Sequence, residues 1–141
     1  MAGPGGASWQ VRDLDAHRAA AARPVTRLYR ADSAVAALVS MVAAERRVPV
    51  ADVLRPSRGR AEVALARQLA MYLTHVMLGR TMTEVGELFG RDRTTVSHAC
   101  ALIEDQRDDP RFDALVGRLE VAVDGLVDDA QALLEVRHDC G

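Results

Sequence analysis

The segment TEVGELFGRDRTTVSHA, residues 83–99, decides how this chain folds. Residues 83–89 predict one short helix that Gly90 ends. Asp92 is a favourable N-cap residue and predicts the start of a second helix, which continues beyond residue 99. Two short helices joined by a tight turn that contains glycine are typical of a helix-turn-helix.

The rest of the chain also predicts helices. An apolar content of 49% with only 4% aromatic residues favours closely packed helices over a β-sandwich. Apolar residues at helical spacing predict helices at 33–47 with Ser33 as N-cap, 50–54 after Pro49, 61–78 ended by Gly79, and from about Pro110 onwards. The helix at 83–89 takes Thr81 or Thr83 as its cap. We therefore expect an all-α protein, a compact multi-helix domain that contains a helix-turn-helix.

Charge is distributed unevenly along the chain and suggests its organisation. Residues 1–103 carry 14 arginines against 9 acidic residues, a net charge of +5, whereas residues 104–141 carry 4 against 11, a net charge of −7. The first part suits a polyanionic partner and the second does not. We predict a mobile N-terminal arm (1–30), a helix-turn-helix domain (31–120) and an acidic C-terminal helix or tail (121–141).

The first turn of the second helix carries the chemistry that suggests DNA binding. Arg93 can donate to guanine O6 and N7, and the methyl groups of Thr94 and Thr95 can contact the thymine methyl. Backbone N–H groups at the same helix end can bind a phosphate. The same residues also fit a capped core helix, and the motif by itself does not decide between these two interpretations.

A resemblance to a known family favours DNA binding. Residues 83–99, together with ARQLAMYL at 66–73 and VADVL at 50–54, resemble the C-terminal DNA-binding domain (domain IV) of the bacterial chromosomal replication initiator DnaA. The resemblance covers roughly residues 34–107, with one glycine where the family usually has two before the Arg-Asp pair. It implies a helix-turn-helix in the major groove of a short asymmetric DNA box and a basic loop that places an arginine in the adjacent minor groove.

The resemblance also implies which residues contact DNA. The implied contacts are, in the major groove and at nearby phosphates, Arg91, Asp92, Arg93, Thr94, Thr95, Ser97 and His98; in the minor groove, Arg58 or Arg60; and at the DNA backbone or groove edge, Arg67, Gln68, His75, Thr81 and Thr83. Two positions depart from the family. Arg93 stands where the family has a base-contacting histidine, and Ser97 replaces an apolar contact residue, so we expect an altered preferred box.

Other chemistries are not indicated. The sequence has no Gly-x-x-x-x-Gly-Lys-Ser/Thr loop and no catalytic arrangement of side chains, so we expect no enzyme and no cofactor. Cys100 and Cys140 lack the spacing of a zinc site or a disulfide framework, which suits a reducing cytoplasm. The absence of an 18-residue apolar run predicts no membrane span.

We therefore expect a stand-alone DnaA-like protein that binds double-stranded DNA at promoters and regulates transcription, located in the cytoplasm at the nucleoid. Its expected protein partner is the transcription machinery, a co-activator or an architectural DNA-binding protein, and the oligomeric state stays open. Alternatives are a replication modulator that competes for initiator boxes and an interaction adaptor that does not bind DNA. We expect Phe112 to Leu119 to complete the core and Val123 to Leu134 to form a docking surface.

Overall fold

The computed structural model describes residues 32–55 and 60–140, with the backbone alone for 129–140. The predicted N-terminal arm, residues 1–30, and the predicted minor-groove residue Arg58 lie outside the described residues. The described part is helical and contains no strand, which confirms the all-α prediction.

Six helices make up the described part of the chain. They are α1 (Ser33–Arg46), α2 (Val50–Leu54), α3 (Ala61–Val76), α4 (Met82–Phe89), α5 (Arg93–Gln106) and α6 (Pro110–Cys140). Helix α3 lies at the centre, because it contacts each of the other five helices. The core that surrounds it is formed mainly by Val, Leu and Ala side chains together with Phe89 and Met71.

The helix ends follow from capping, with two corrections to the predicted bounds. The Asp32 carboxylate accepts a hydrogen bond from the Val35 amide at 3.2 Å, so Asp32 is the N-cap of α1 and the predicted cap, Ser33, is its first residue. Helix α3 ends at Val76, two residues earlier than predicted. Val76 itself is 47% exposed, whereas Met77 and Leu78, which follow the helix, are partly buried against the core.

Helix α6 contributes more of the core than the sequence predicted. Leu115, Val116 and Leu119 are buried, which confirms that the first part of α6 completes the core. Val123 was expected on a docking surface, but it is fully buried in the same core. The correction follows from helical periodicity, because Val123 lies four residues after Leu119 on the same face. Docking by the segment beyond Val127 stays a prediction.

Arg107 joins α6 to the centre of the domain. Its guanidinium contacts Asp113 at 2.6 Å and Glu120 at 3.0 Å, and it donates to the Tyr72 hydroxyl at 3.1 Å. The Tyr72 hydroxyl in turn donates to Glu104 at 2.6 Å. The carboxylates of Glu120 and Asp113 raise the pKa of Arg107. This cluster fixes the end of α5 against both α3 and α6.

Val123→Ala should lower the free energy of unfolding by about 2 kcal/mol, because two buried methyl groups are lost and a cavity remains. The matched control is Val121→Ala, since Val121 lies on the same helix and is 73% exposed whereas Val123 is 0% exposed. Urea unfolding followed by circular dichroism measures both changes. Equal effects of the two substitutions would show that the predicted docking surface does begin at Val123.

Candidate nucleic-acid interface

Helix α4 begins with a reciprocal cap. The Thr81 hydroxyl accepts from the Glu84 amide at 3.1 Å, and the Glu84 carboxylate accepts from the Thr81 amide at 2.8 Å. Of the two predicted caps, the structure therefore selects Thr81, while Thr83 is an exposed residue of the first turn. The hydrogen bonds with Thr81 hold the pKa of Glu84 below its usual value, which keeps the carboxylate charged at the helix N-terminus.

The turn between α4 and α5 requires the single glycine that the sequence retains. Gly90 adopts a left-handed conformation (φ 66°, ψ 35°), and the Arg91 amide donates to the Gly86 carbonyl at 2.8 Å. Phe89, immediately before this glycine, is 1% exposed in the core. The helix therefore ends on a buried aromatic side chain, and the left-handed position falls to Gly90.

Helix α5 has one buried and one exposed face. The Asp92 carboxylate accepts from the Thr95 amide at 2.8 Å, which confirms Asp92 as the N-cap. The buried face holds Val96, Ala99, Cys100 and Ile103. The exposed face carries the predicted major-groove side chains Arg93, Thr94, Thr95, Ser97 and His98. The helix therefore presents donors, acceptors and methyl groups together along one polar surface.

An open groove of about 310 Å³ separates this exposed face from α3. Its apolar lining comes from Met71, Ala99 and Leu102. Six of the predicted DNA-contacting residues line its rim and walls: Arg67, Gln68, Arg91, Thr94, Thr95 and His98. The fold thus brings together residues from α3, the turn and α5 that lie up to 31 positions apart in the sequence.

Arg67 has a structural function that the sequence did not predict. It is only 7% exposed, and its guanidinium donates to the carbonyls of Val53 (2.9 Å), Asp52 (3.0 Å) and Arg55 (3.2 Å). Burial first, and then the charge on Arg91, lowers the pKa of Arg67 to about 10, so the group stays charged at neutral pH. Arg67 therefore holds the end of α2 against α3, and its contact with the DNA backbone stays a prediction.

Arg91 contacts the same carbonyl as Arg67. Its Nη2 donates to the Arg55 carbonyl at 3.0 Å, across 36 positions of sequence. Arg60 is exposed immediately before α3 and is its N-cap residue. The turn before α5 is therefore hydrogen-bonded directly to Arg55, the first residue of the predicted basic loop (55–59).

His75 also takes part in a contact within the fold. Its Nδ1 lies 2.7 Å from the Arg80 carbonyl, and the Arg80 guanidinium pairs with Asp32 at 3.1 Å. Sequence reasoning missed the pair between Arg80 and Asp32, which ties the start of α1 to the connection between α3 and α4. The predicted phosphate contact of His75 is not tested by this geometry, since the second ring nitrogen is separate from the hydrogen bond.

The described residues were also compared with the requirements of a metal site, a reactive thiol and a membrane-spanning helix. Within 32–55 and 60–128, no group of three or more His, Cys, Asp or Glu side chains could hold a metal ion. Cys100 is a buried free thiol, and burial raises its pKa. No helix in the described part of the chain is both long and apolar enough to cross a membrane.

The fold and the exposed polar face of α5 define the class of the domain, a helix-turn-helix. Residues 35–103 match the family model of the bacterial dnaA protein helix-turn-helix. The chain is 43% identical over 96 residues to the chromosomal replication initiator protein DnaA of Thermomicrobium roseum, which covers 65% of this chain and 19% of that protein. It is 30% identical over 111 residues to DnaA of Deinococcus radiodurans, covering 77% of this chain and 24% of that protein.

A solved structure of the replication initiator DnaA bound to AMPPCP and single-stranded DNA is also similar. The two chains are 28% identical and superpose with a TM-score of 0.58. The match covers 82% of this chain and 31% of the DnaA chain in that structure. The chain thus spans less than a quarter of the length of both relatives named above. Residues 35–103 thus match a DnaA-type helix-turn-helix domain, both in sequence and in fold.

Proposed function

We propose that this chain binds double-stranded DNA in a sequence-specific manner and regulates transcription from promoters. The observation that carries the proposal is the exposed polar face at the start of α5, beside a groove lined by arginine, glutamine and threonine side chains. A helix of this composition fits the major groove, which is wide enough to admit it.

The N-terminal turn of α5 supplies the base contacts in this proposal. Arg93 is the first residue of the helix and is exposed, so its guanidinium can donate two hydrogen bonds to guanine O6 and N7. Thr94 and Thr95 offer methyl groups to thymine and hydroxyl groups to phosphates. The Asp92 cap fixes the backbone of this first turn, because it accepts from the Thr95 amide, and so sets where the three side chains leave the helix.

The arginines around the groove position the protein on the duplex. Contacts with phosphates fix orientation and raise affinity without reading sequence. Gln68 and His98 line the groove beside Arg91, and in this proposal they lie close to the DNA backbone. Arg58 or Arg60 supplies the minor-groove contact in this proposal, and a narrow A·T-rich groove attracts such an arginine most strongly.

A protein partner is part of the proposal. Helix α6 exposes Asp124 and Asp128 beyond the last core positions, and residues 104–141 carry a net charge of −7. Such a surface repels DNA, so it suits a contact with the transcription machinery, a co-activator or an architectural DNA-binding protein. These contacts would leave the recognition face of α5 available to DNA.

A second candidate function is the modulation of replication by occupancy of initiator boxes. It is favoured by the names of the relatives in Thermomicrobium roseum and Deinococcus radiodurans, which are both replication initiators. Genome-wide occupancy of the tagged chain discriminates between the candidates. Peaks at promoters support the transcription role, peaks confined to the origin support the replication role, and the absence of peaks would leave an adaptor that does not bind DNA.

Arg93→Ala should weaken binding to the preferred DNA site by about 2 kcal/mol and relax specificity at one base position, because a base-edge contact is lost. Fluorescence anisotropy with the preferred site, its single-base variants and random DNA measures the effect. The matched control is Arg118→Ala on α6, where Arg118 is 66% exposed beside Glu45. An equal loss on preferred and random DNA would show that Arg93 contacts phosphate instead of a base.

A further inference from the structure

His75 lies where the proposed DNA-binding surface continues along α3 beyond the groove. Gln68 and Met71 line the groove, and His75 follows them by seven and four residues, so helical periodicity places all three on one face of α3. The His75 ring also contacts the connection to α4, because Nδ1 lies 2.7 Å from the carbonyl oxygen of Arg80, the residue before the N-cap Thr81. This face of α3 therefore meets the start of α4, the first helix of the helix-turn-helix, at His75.

The contact with Arg80 determines which ring nitrogen of neutral His75 carries the hydrogen. A backbone carbonyl can only accept a hydrogen bond, so Nδ1 donates and bears the hydrogen. In the neutral ring the other nitrogen, Nε2, then carries a lone pair and no hydrogen. Nε2 has no hydrogen-bond partner among the described residues, and the half-buried ring leaves this atom open to solvent. The neutral side chain thus presents an acceptor outward.

A neutral ring in this orientation does not suit the backbone of DNA. In helix-turn-helix complexes the first helix crosses the DNA backbone while the second lies in the major groove, so the start of α4 and the adjacent His75 would face phosphates. Phosphate oxygens accept hydrogen bonds, and the lone pair of Nε2 would face another acceptor. When the ring gains a second proton, Nδ1 still donates to Arg80 and Nε2 can donate to a phosphate in a charge-assisted hydrogen bond. Only the imidazolium satisfies both partners at once.

We infer that His75 is a phosphate contact that works only as an imidazolium, so that DNA binding takes up one proton from solvent and weakens as the pH rises through neutrality. The inference rests on the proposed DNA-binding function and adds a dependence on pH to it. The sign follows from linkage, because the bound state holds one proton more than the free protein. Affinity is therefore highest where free His75 is already protonated, and it falls as the pH rises across the range in which histidine changes charge, about pH 5 to pH 8.

The charged groups beside the His75 ring keep their charge across this range. Arg80 pairs with Asp32, the N-cap of α1, at 3.1 Å. Glu84 lies in the first turn of α4, and its hydrogen bonds with Thr81 lower its pKa. Carboxylates are already ionised above about pH 5, so these groups supply a constant field and no pH dependence of their own.

His98 is the one other titratable group on the groove side of α3 that can change charge near neutral pH. Arg67 and Arg91 also line the groove, and Arg67, whose pKa is lowered to about 10, stays charged there. Tyr72, one turn before His75 on α3, keeps a neutral phenol because burial raises its pKa. An experiment on pH dependence must therefore separate His75 from His98.

The first test needs no DNA. Nitrogen chemical shifts of the imidazole, measured by NMR at about pH 8, show which ring nitrogen of His75 carries the hydrogen in the neutral form. We expect the hydrogen on Nδ1, because the Arg80 carbonyl holds it there. A hydrogen on Nε2 would give the neutral ring a donor toward phosphate and would overturn the inference.

The second test compares DNA affinities at two pH values. A random-sequence duplex is the probe, because phosphates are present whatever the base sequence, and fluorescence anisotropy measures its affinity at about pH 6 and about pH 8. We expect the wild-type chain to bind about fivefold more weakly at the higher pH, since one charge-assisted contact is lost. The salt slope should be smaller by about 1 at the higher pH, because one cation fewer meets the phosphates.

Three variants assign this effect to one residue. His75→Gln should bind equally at both pH values, with the affinity of the wild type at the higher pH. His75→Lys should also bind equally at both, with the affinity of the wild type at the lower pH, because an ammonium group stays charged in this range. A chain in which the other three histidines, His17, His98 and His138, are replaced by glutamine should keep the fivefold fall. Circular dichroism at both pH values checks that each variant is folded.

The outcomes separate this inference from the proposed function. A fall in affinity that persists in His75→Gln, or that disappears in the chain with His75 as its one histidine, would place the titrating group elsewhere and overturn the inference. An equal loss in His75→Gln at both pH values would show that the ring only holds the Arg80 carbonyl, and would overturn it too. If the expected pH dependence is found on random DNA but the chain prefers no base sequence, the proposed sequence-specific function fails and the inference stands. If the wild-type chain binds no DNA at either pH, both fail.

Discussion

Arg67→Ala should lower the free energy of unfolding by about 3 kcal/mol, because a buried, charged donor to three carbonyls is lost. The guanidinium fork reaches the carbonyls of Val53, Asp52 and Arg55 at distances between 2.9 and 3.2 Å. Without it, the end of α2 has no charged donor from α3, and the carbonyl groups depend on water that must enter a partly buried site. Urea unfolding followed by circular dichroism measures the change.

Two further variants identify the cause of this loss. Arg67→Met keeps most of the apolar stem and removes only the guanidinium, so a similar loss in Arg67→Met assigns the effect to the hydrogen bonds. The control is Arg118→Ala, which removes an exposed arginine from another helix and should change stability by less than about 0.5 kcal/mol. If Arg67→Ala is as stable as the wild type and only its DNA affinity and salt slope fall, the contact with the DNA backbone that the sequence predicted is its main role.

The elements of the fold could be predicted where local chemistry defines them. The bounds of α2 agree with the prediction, and Asp92 is the predicted and the observed N-cap of α5. Such features can be predicted because the capping residue and the adjacent apolar face are neighbours in the sequence. The extent of the apolar stripes was harder to predict. In both α3 and α6 the apolar periodicity extends over more residues than the sequence can assign to the core. Whether another helix covers a given apolar residue depends on tertiary packing. The packing buries Val123 in α6 and leaves Val76 in α3 exposed.

The exposed face of α5 was predictable because helical periodicity separates it from the buried face. The roles of Arg67 and Arg91 within the fold were not predictable in the same way. Their carbonyl partners lie between 12 and 36 positions away, and a backbone carbonyl has no sequence signature. The one local signal was the position of Arg67 between Ala66 and Leu69, both of which are fully buried, since an arginine there must satisfy its donors inside the fold.

Gly86 is the second position at which a single substitution should have a large effect. It lies inside α4, where a glycine is normally unfavourable by about 1 kcal/mol relative to alanine. A Cβ atom added to Gly86 would collide with the carbonyl oxygen of Arg91, and the carbonyl carbon of Asp92 would lie 3.5 Å from it. Both neighbours belong to the backbone of the turn, so no side-chain rotation relieves the overlap.

Gly86→Ala should therefore lower the free energy of unfolding by about 3 kcal/mol in spite of its better helix propensity, because the turn must move away from α4. Displacing the turn also strains the hydrogen bond from the Arg91 amide to the Gly86 carbonyl and shifts the start of α5, so we expect weaker DNA binding by the folded fraction. Thermal unfolding and anisotropy at a temperature where the variant is folded measure the two effects separately.

Two other helical glycines provide matched controls for this prediction. Gly117 and Gly125 lie in α6, and a Cβ atom added to either would have no neighbouring atom within 4 Å. Gly117→Ala and Gly125→Ala should therefore stabilise the chain by about 0.5–1 kcal/mol each, through helix propensity alone. The same chemical change thus has opposite signs in α4 and α6, because only in α4 does another part of the backbone occupy the space of the missing side chain. If Gly86→Ala stabilises the chain as the α6 variants do, the turn does not lie against α4 in solution, and the orientation of α5 described above is wrong.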